Sequence, residues 1–229
     1  MSEAPGRPGP SSGTTSRRGS ALIELVVLVV LSLAVVAGVK QFVVQAFYVP
    51  SSSMEPTLDI EDRILVQKWS GAPYARGEVV VFEDPGGWLP GDDARVPSNP
   101  VTRGLEIVGL YPTTGHLVKR IIGIGGDRVA CCDLVGRMTI NGDPLDEPYL
   151  ASREPPSRLR FDVVVPDGKL WLMGDNRSAS ADSRVHLGDP GGGMVPESYV
   201  VGRVWRIVWP VSRWAGLERP PAFDEVPDS

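Results

Sequence analysis

Three short blocks of the chain hold residues whose types and spacing suit chemistry. The first is YVPSSSMEPTL, residues 48–58, where three serines stand between Pro50 and Pro56. The prolines exclude a continuous helix and hold the chain extended or turned. A serine hydroxyl attacks a carbonyl only when a base takes its proton, and the spacing alone does not say which of Ser51, Ser52 and Ser53 would do so. The second block is LVKRIIGIGGDRV, residues 117–129. Read as a strand, it places Lys119 on the same face as Leu117 and Ile121. An amine among large apolar neighbours is costly to charge, so its pKa falls and it becomes a base near neutral pH. Arg120 points to the opposite face and needs a carboxylate if buried. The third block, MGDNRSASADSR at 173–184, packs carboxylates, arginines and hydroxyls densely enough for a structured hydrogen-bonding turn.

The rest of the composition narrows the choice of catalytic groups. The 229 residues include only four lysines, at positions 40, 68, 119 and 169, and two histidines, His116 and His186, which lie outside all three blocks. No Cys/His spacing suits zinc, and no cofactor or metal is expected. The adjacent Cys131 and Cys132 read first as two buried thiols; a vicinal disulfide, whose ring is strained, is the alternative in an oxidising compartment. A net charge of −5 gives no reason to expect nucleic-acid binding.

These blocks must be positioned by β-structure. Apolar, β-rich runs at 63–68, 78–82, 117–124, 127–130, 137–140, 161–165, 169–173 and 199–209 are separated by Gly-Gly-Asp, Asn-Gly-Asp-Pro and Pro-Asp-Gly turn sequences. Asn141-Gly142 is a hairpin signal. The stretch 86–114 reads as a surface loop or insertion, and residues from about 218 as a polar tail. Trp205 and Trp209 have strand-like spacing that favours core packing over a surface role.

Ahead of this domain, residues 21–39 read ALIELVVLVVLSLAVVAGV. At about 1.5 Å per residue this helix would come close to the roughly 30 Å core of a bilayer. It is longer than the core of a cleavable signal peptide. Arg7, Arg17 and Arg18 precede it and Lys40 follows, so the positive-inside rule places the N-terminus in the cytoplasm. Residues 1–20, rich in Gly, Pro and Ser, read as disordered. Val44-Gln45-Ala46 is a small-x-small sequence just past the segment, which raises self-cleavage after Ala46.

Taken together, the blocks resemble the bacterial type I signal peptidases (leader peptidases), over residues 20–209. PSSSMEPTL looks like the family's serine box, EDRILVQKW and RGEVVVFEDP like the next two, LVKRIIGIGGDRV like the lysine box and GDNRSASADSR like the last. The resemblance implies a membrane-bound serine endopeptidase that removes signal peptides from secreted precursors after small-x-small sites. It makes Ser53 the nucleophile, with its main-chain N–H and the Ser51 hydroxyl as oxyanion donors. Lys119 is then the general base, oriented by Ser180. Arg120 with Asp175, and Asp182 with Arg184, are structural supports, and Val49, Pro50, Met54, Leu58 and Val118 line the substrate pocket. The implied fold is mainly β: an antiparallel catalytic domain (41–217) with a reduced β cap at about 125–165, behind one transmembrane helix (21–40), with 218–229 as a tail. The implied protein is a single-pass monomer of the bacterial plasma membrane, its catalytic domain outside, its partners signal peptides and the lipid bilayer. Ser52 stands where glycine is common, Glu61 replaces a usual glycine, and the 86–114 loop is extra. Self-cleaving repressors share Ser/Lys chemistry, but this chain has no helix-turn-helix pattern.

Overall fold

The computed structural model describes residues 21–33, 44–68, 73–89, 115–151 and 154–227. Met1–Gln41 and Phe42–Ser229 form separate units. In the first, residues 21–33 are helical with every residue exposed. The expected membrane segment continues into 34–40, outside the described residues. Among the described residues no helix is long and apolar enough to cross a membrane.

The second unit is built from antiparallel strands. In chain order these are β1 (Val44–Tyr48), β2 (Arg63–Gln67), β3 (Val79–Glu83), β4 (His116–Gly123), β5 (Arg128–Cys131) and β6 (Met138–Ile140). They continue with β7 (Asp143–Pro144), β8 (Phe161–Val164), β9 (Lys169–Met173), β10 (Val195–Pro196), β11 (Val200–Trp209) and β12 (Ala215–Gly216). The main sheet runs β1-β2-β11-β3-β4-β9-β10, with β12 on β11, and a second sheet runs β7-β6-β5-β8. The second sheet falls within the stretch expected to hold a reduced cap.

The main sheet is covered on both faces. Along β3 the side chains alternate: Val79 and Val81 enter a cluster with Met54, Leu58, Ile64 and Val204, while Val80 and Phe82 enter another with Leu117, Ile121 and Leu172. This is the period-two pattern of a central strand. A third cluster, with Ile122, Met138, Ile140, Phe161 and Trp171, lies against the second sheet. Asn141 and Gly142 both take positive φ, 56° and 92°, and join β6 to β7 in the two-residue turn their sequence predicts.

Glu61 also has a positive φ, 73°. This is the position where the resemblance expects glycine. The backbone demand is kept although the residue has changed, at a cost of about 1–2 kcal/mol.

Several expectations are corrected. Residues beyond 218 are not a loose polar tail up to 227. Phe223 and Val226 are buried in the third cluster, Arg76 donates to the Val226 carbonyl and Asn141 to that of Pro227. Two apolar anchors in a polar stretch were enough to dock it. Trp205 and Trp209 are 40% and 54% exposed rather than in the core. The cause is β11 itself: its register shifts between Val204 and Arg206 and again between Ile207 and Trp209. Each bulge breaks the alternation, so Val204 and Ile207 are buried and the tryptophans turn out. Of the two states open to Cys131 and Cys132, the structure has the vicinal disulfide. Ala46, the residue of the small-x-small sequence, lies inside β1, paired opposite Leu65. Most of the 86–114 loop lies outside the described residues. Its start does not: Trp88 is buried, stacked on His186.

Candidate active site

The serine block forms a single 3-10 turn, Ser52–Met54, entered from an extended Ser51. Its anchor is Met54, which is almost wholly buried. The turn closes with Glu55 N–H on the Ser52 carbonyl at 3.1 Å and continues with Leu58 N–H on the Met54 carbonyl at 3.0 Å. The prolines thus permit one tight turn rather than a purely extended chain. It leaves Ser53 buried and Ser51 exposed.

On β4, Leu117, Lys119 and Ile121 are all buried, as alternation requires. Lys119 Nζ lies 2.6 Å from Ser53 Oγ, and Ser51 Oγ lies 3.3 Å from the same oxygen. Burial pushes the Lys119 pKa down to about 8; the Asp182 and Asp175 carboxylates work against that shift and the Arg184 guanidinium adds to it. The result is an amine in contact with a hydroxyl and largely neutral just above pH 8.

Arg120, on the opposite face of β4, meets Asp175 in a two-pronged pair at 2.9 and 2.6 Å. Thr57 adds a hydroxyl donor to Asp175 at 2.6 Å, and Arg120 lies 4.3 Å from the centre of the Tyr149 ring. Asp182 accepts from Arg184 at 2.8 and 2.7 Å and from Gly174 N–H at 3.0 Å. Burial works to raise the Asp182 carboxyl, but Arg184 and the Gly174 N–H overcome it and hold the pKa below the usual range. Both pairs are fully enclosed, so each charge depends on its partner.

Ser180 is buried, and its side chain helps to hold the Asp182 carboxyl below the usual range; among the described contacts the Lys119 amine reaches Ser53 and not Ser180. Ser180 packs against Gly174, whose missing side chain leaves room for both Ser180 and the Ser53 carbonyl. Of the expected pocket residues, Val49, Met54 and Leu58 are buried in one apolar cluster against which Val118 packs. They form an apolar bed under the serine turn, while Pro50 keeps its surface.

Some of the site carries no local signal. Glu147 clasps Arg177 at 3.0 and 2.5 Å, joining two residues 30 positions apart. Asn176 and Thr57 act on groups more than 100 residues away. Their only sequence signal is membership of the dense blocks.

A buried amine against a serine hydroxyl, on an antiparallel β scaffold, has the groups that a serine-based hydrolase needs. Comparison with known proteins narrows the class. The profile of the family described as "Signal peptidase, peptidase S26" matches residues 22–209. A probable signal peptidase I of Mycobacterium leprae is 38% identical over 234 aligned residues, covering 88% of this chain and 81% of that protein. Signal peptidase I of Mycobacterium tuberculosis is 38% identical, covering 85% and 75%, and that of Leptolyngbya laminosa is 32% identical, covering 94% of each. A crystal structure of a signal peptidase I from Enterococcus faecalis aligns at 23% identity with a TM-score of 0.37, over 58% of this chain and 98% of that one. The chain belongs to the signal peptidase family, peptidase S26. It is a serine endopeptidase.

Proposed function

We propose that this enzyme removes signal peptides from secreted precursors, cutting after small-x-small sequences of the Ala-x-Ala kind by a Ser53/Lys119 dyad. The observation that carries the reading is the 2.6 Å contact between Ser53 Oγ and a buried lysine amine. Neutral Lys119 takes the Ser53 proton as Oγ bonds to the scissile carbonyl carbon. The oxyanion is met by Ser53 N–H and the Ser51 hydroxyl, whose Oγ is 3.3 Å from the nucleophile. As the C–N bond breaks, the Lys119 ammonium returns the proton to the leaving amine. Water then enters, Lys119 takes its proton as the water oxygen bonds to the acyl carbon, and the ammonium returns that proton to Ser53 Oγ as the ester C–O bond breaks. Ser180, buried beside Gly174, is then the hydroxyl that accepts from the Lys119 amine and orients it. The two enclosed ion pairs hold the loops that carry these groups.

The apolar run 21–39 supports a single membrane anchor with its N-terminus in the cytoplasm. The exposed Trp205, Trp209 and Trp214 suit the bilayer interface, where amphipathic rings accumulate. Anchoring enzyme and precursor in one plane raises their effective concentration.

A panel of fluorogenic peptides varied at the two small positions tests the substrate class. A peptide with Ala at both is expected to be cut after the second. Phe at either position is expected to lower kcat/KM at least about tenfold, since a closed pocket rejects added bulk through steric strain of about 1–3 kcal/mol. Equal cleavage of all panel members would contradict the assignment.

A further inference from the structure

Asn176 holds the serine turn from outside, through two bonds. Its main-chain N–H donates to the Ser53 carbonyl at 3.1 Å, and its side-chain Nδ2 donates to the Ser52 carbonyl at 3.1 Å. These two carbonyls belong to the peptide units on either side of the Ser53 α-carbon. The unit at Ser52 matters more to the chemistry, because the same plane carries the Ser53 N–H. A trans peptide is flat, with C=O and N–H pointing in opposite directions. A donor that fixes the carbonyl therefore fixes the line along which the N–H projects. Donation to the carbonyl also polarises the unit and strengthens the N–H as a donor.

The turn alone gives the Ser52 carbonyl one donor, Glu55 N–H at 3.1 Å. Asn176 adds a second, reaching from the segment that follows β9. The side chain is itself oriented: Ser178 Oγ donates to Asn176 Oδ1 at 3.3 Å, which leaves Nδ2 to face Ser52. Arg177 is clamped next door by Glu147 and Asp175 by Arg120, so Asn176 stands between two fixed neighbours.

We infer that Asn176 is a positioning residue for the oxyanion site: it orients and polarises the 52–53 peptide so that the Ser53 N–H meets the charge developing on the scissile oxygen. The inference rests on the reading of Ser53 as nucleophile and of its N–H as an oxyanion donor. Asn176 need not touch the substrate. Its contribution is felt when the oxyanion forms, so its loss falls on kcat more than on KM.

The test uses the full chain in detergent, a fluorogenic Ala-x-Ala peptide, and a peptide boronic acid that forms a tetrahedral adduct on the serine. Asn176→Ala is expected to lower kcat about tenfold, the worth of one good hydrogen bond, with KM within about twofold. Boronate affinity should fall by the same factor, and the pH dependence of kcat/KM should not move. Asn176→Asp keeps the shape and the acceptor for Ser178 but sets a carboxylate against the Ser52 carbonyl, so its loss should be larger. If thermal melting shows Asn176→Ala to be unfolded, Asn176→Asp decides. Unchanged kcat in a folded variant, a loss in KM alone, or a fall in kcat with boronate affinity intact would overturn the inference. A wild-type protein that fails to cut the peptide, or a Ser53→Ala variant that still cuts it, would instead sink the reading of the site, and this inference with it.

Discussion

Methionine at position 119 is expected to lower kcat/KM for a signal-peptide substrate by about a thousandfold or more, while the protein stays folded. A positioned general base contributes on the order of 10²–10⁴. The described contacts offer no second amine to Ser53, whose Oγ is otherwise reached only by the Ser51 hydroxyl. Methionine has a similar length and suits a buried site beside Leu117 and Ile121. Lys119→Arg should fail equally, because a guanidinium keeps its proton. Stability should move the other way from activity. The folded pKa of Lys119, about 8, lies below its ordinary 10.5. Between those values the unfolded chain binds more protons than the folded one, so wild-type stability rises with pH through that window and is reduced below it. Lys119→Met removes this term. It should be more stable than wild type by about 1–3 kcal/mol at pH 7, with the difference shrinking toward pH 10. Chemical denaturation at several pH values measures it. An inactive variant that is also less stable at pH 7 would contradict the burial argument.

Alanine at position 174 is expected to cost about a hundredfold in kcat/KM and about 1–3 kcal/mol in stability. A Cβ built on Gly174 would overlap the Oγ and Cβ of Ser180 and the Ser53 carbonyl oxygen. The serine hydroxyl can turn away, but the carbonyl belongs to the nucleophile's own backbone and already accepts Asn176 N–H. Making room therefore displaces the 3-10 turn and with it the 2.6 Å contact to Lys119. A second change, Ser180→Ala, removes the Oγ overlap but leaves those with the Ser180 Cβ and the Ser53 carbonyl, so the double variant should remain impaired. Steady-state kinetics with thermal melts check both, and a fully active Gly174→Ala enzyme would show that the turn has more freedom than these contacts allow.

Much of the scaffold was legible because strands announce themselves locally. The apolar runs at 63–68, 78–82 and 169–173 match β2, β3 and β9 to within a residue, and Asn141-Gly142 marked its own turn. Lys119 was half legible: alternation sets it on the face of Leu117 and Ile121, but the same pattern fits the solvated face of an edge strand, and the central place of β4 in the sheet decides for burial. Arg120, one residue on, had to find a carboxylate, and Asp175 supplies it. Ser53 was different: three adjacent serines carry no local sign of which one meets the amine; the resemblance to the family's serine box selects Ser53, and the fold buries it while exposing Ser51. Asn176, Thr57 and Glu147 were not legible because their partners are distant in the chain and chosen by the docking of loops. The tryptophans of β11 were misread because two bulges reset a period that the sequence alone would continue. The tail was misread because average polarity hid Phe223 and Val226.

The central claim is that a buried, neutral lysine draws the proton from Ser53, and the pH dependence of kcat/KM on a fluorogenic Ala-x-Ala peptide tests it most directly. The rate should rise through an apparent pKa of about 8, the value burial gives Lys119, because only the deprotonated amine can act as base. A rate that stays flat from pH 6 to pH 10, or the same rise in the Lys119→Met variant, would contradict the account.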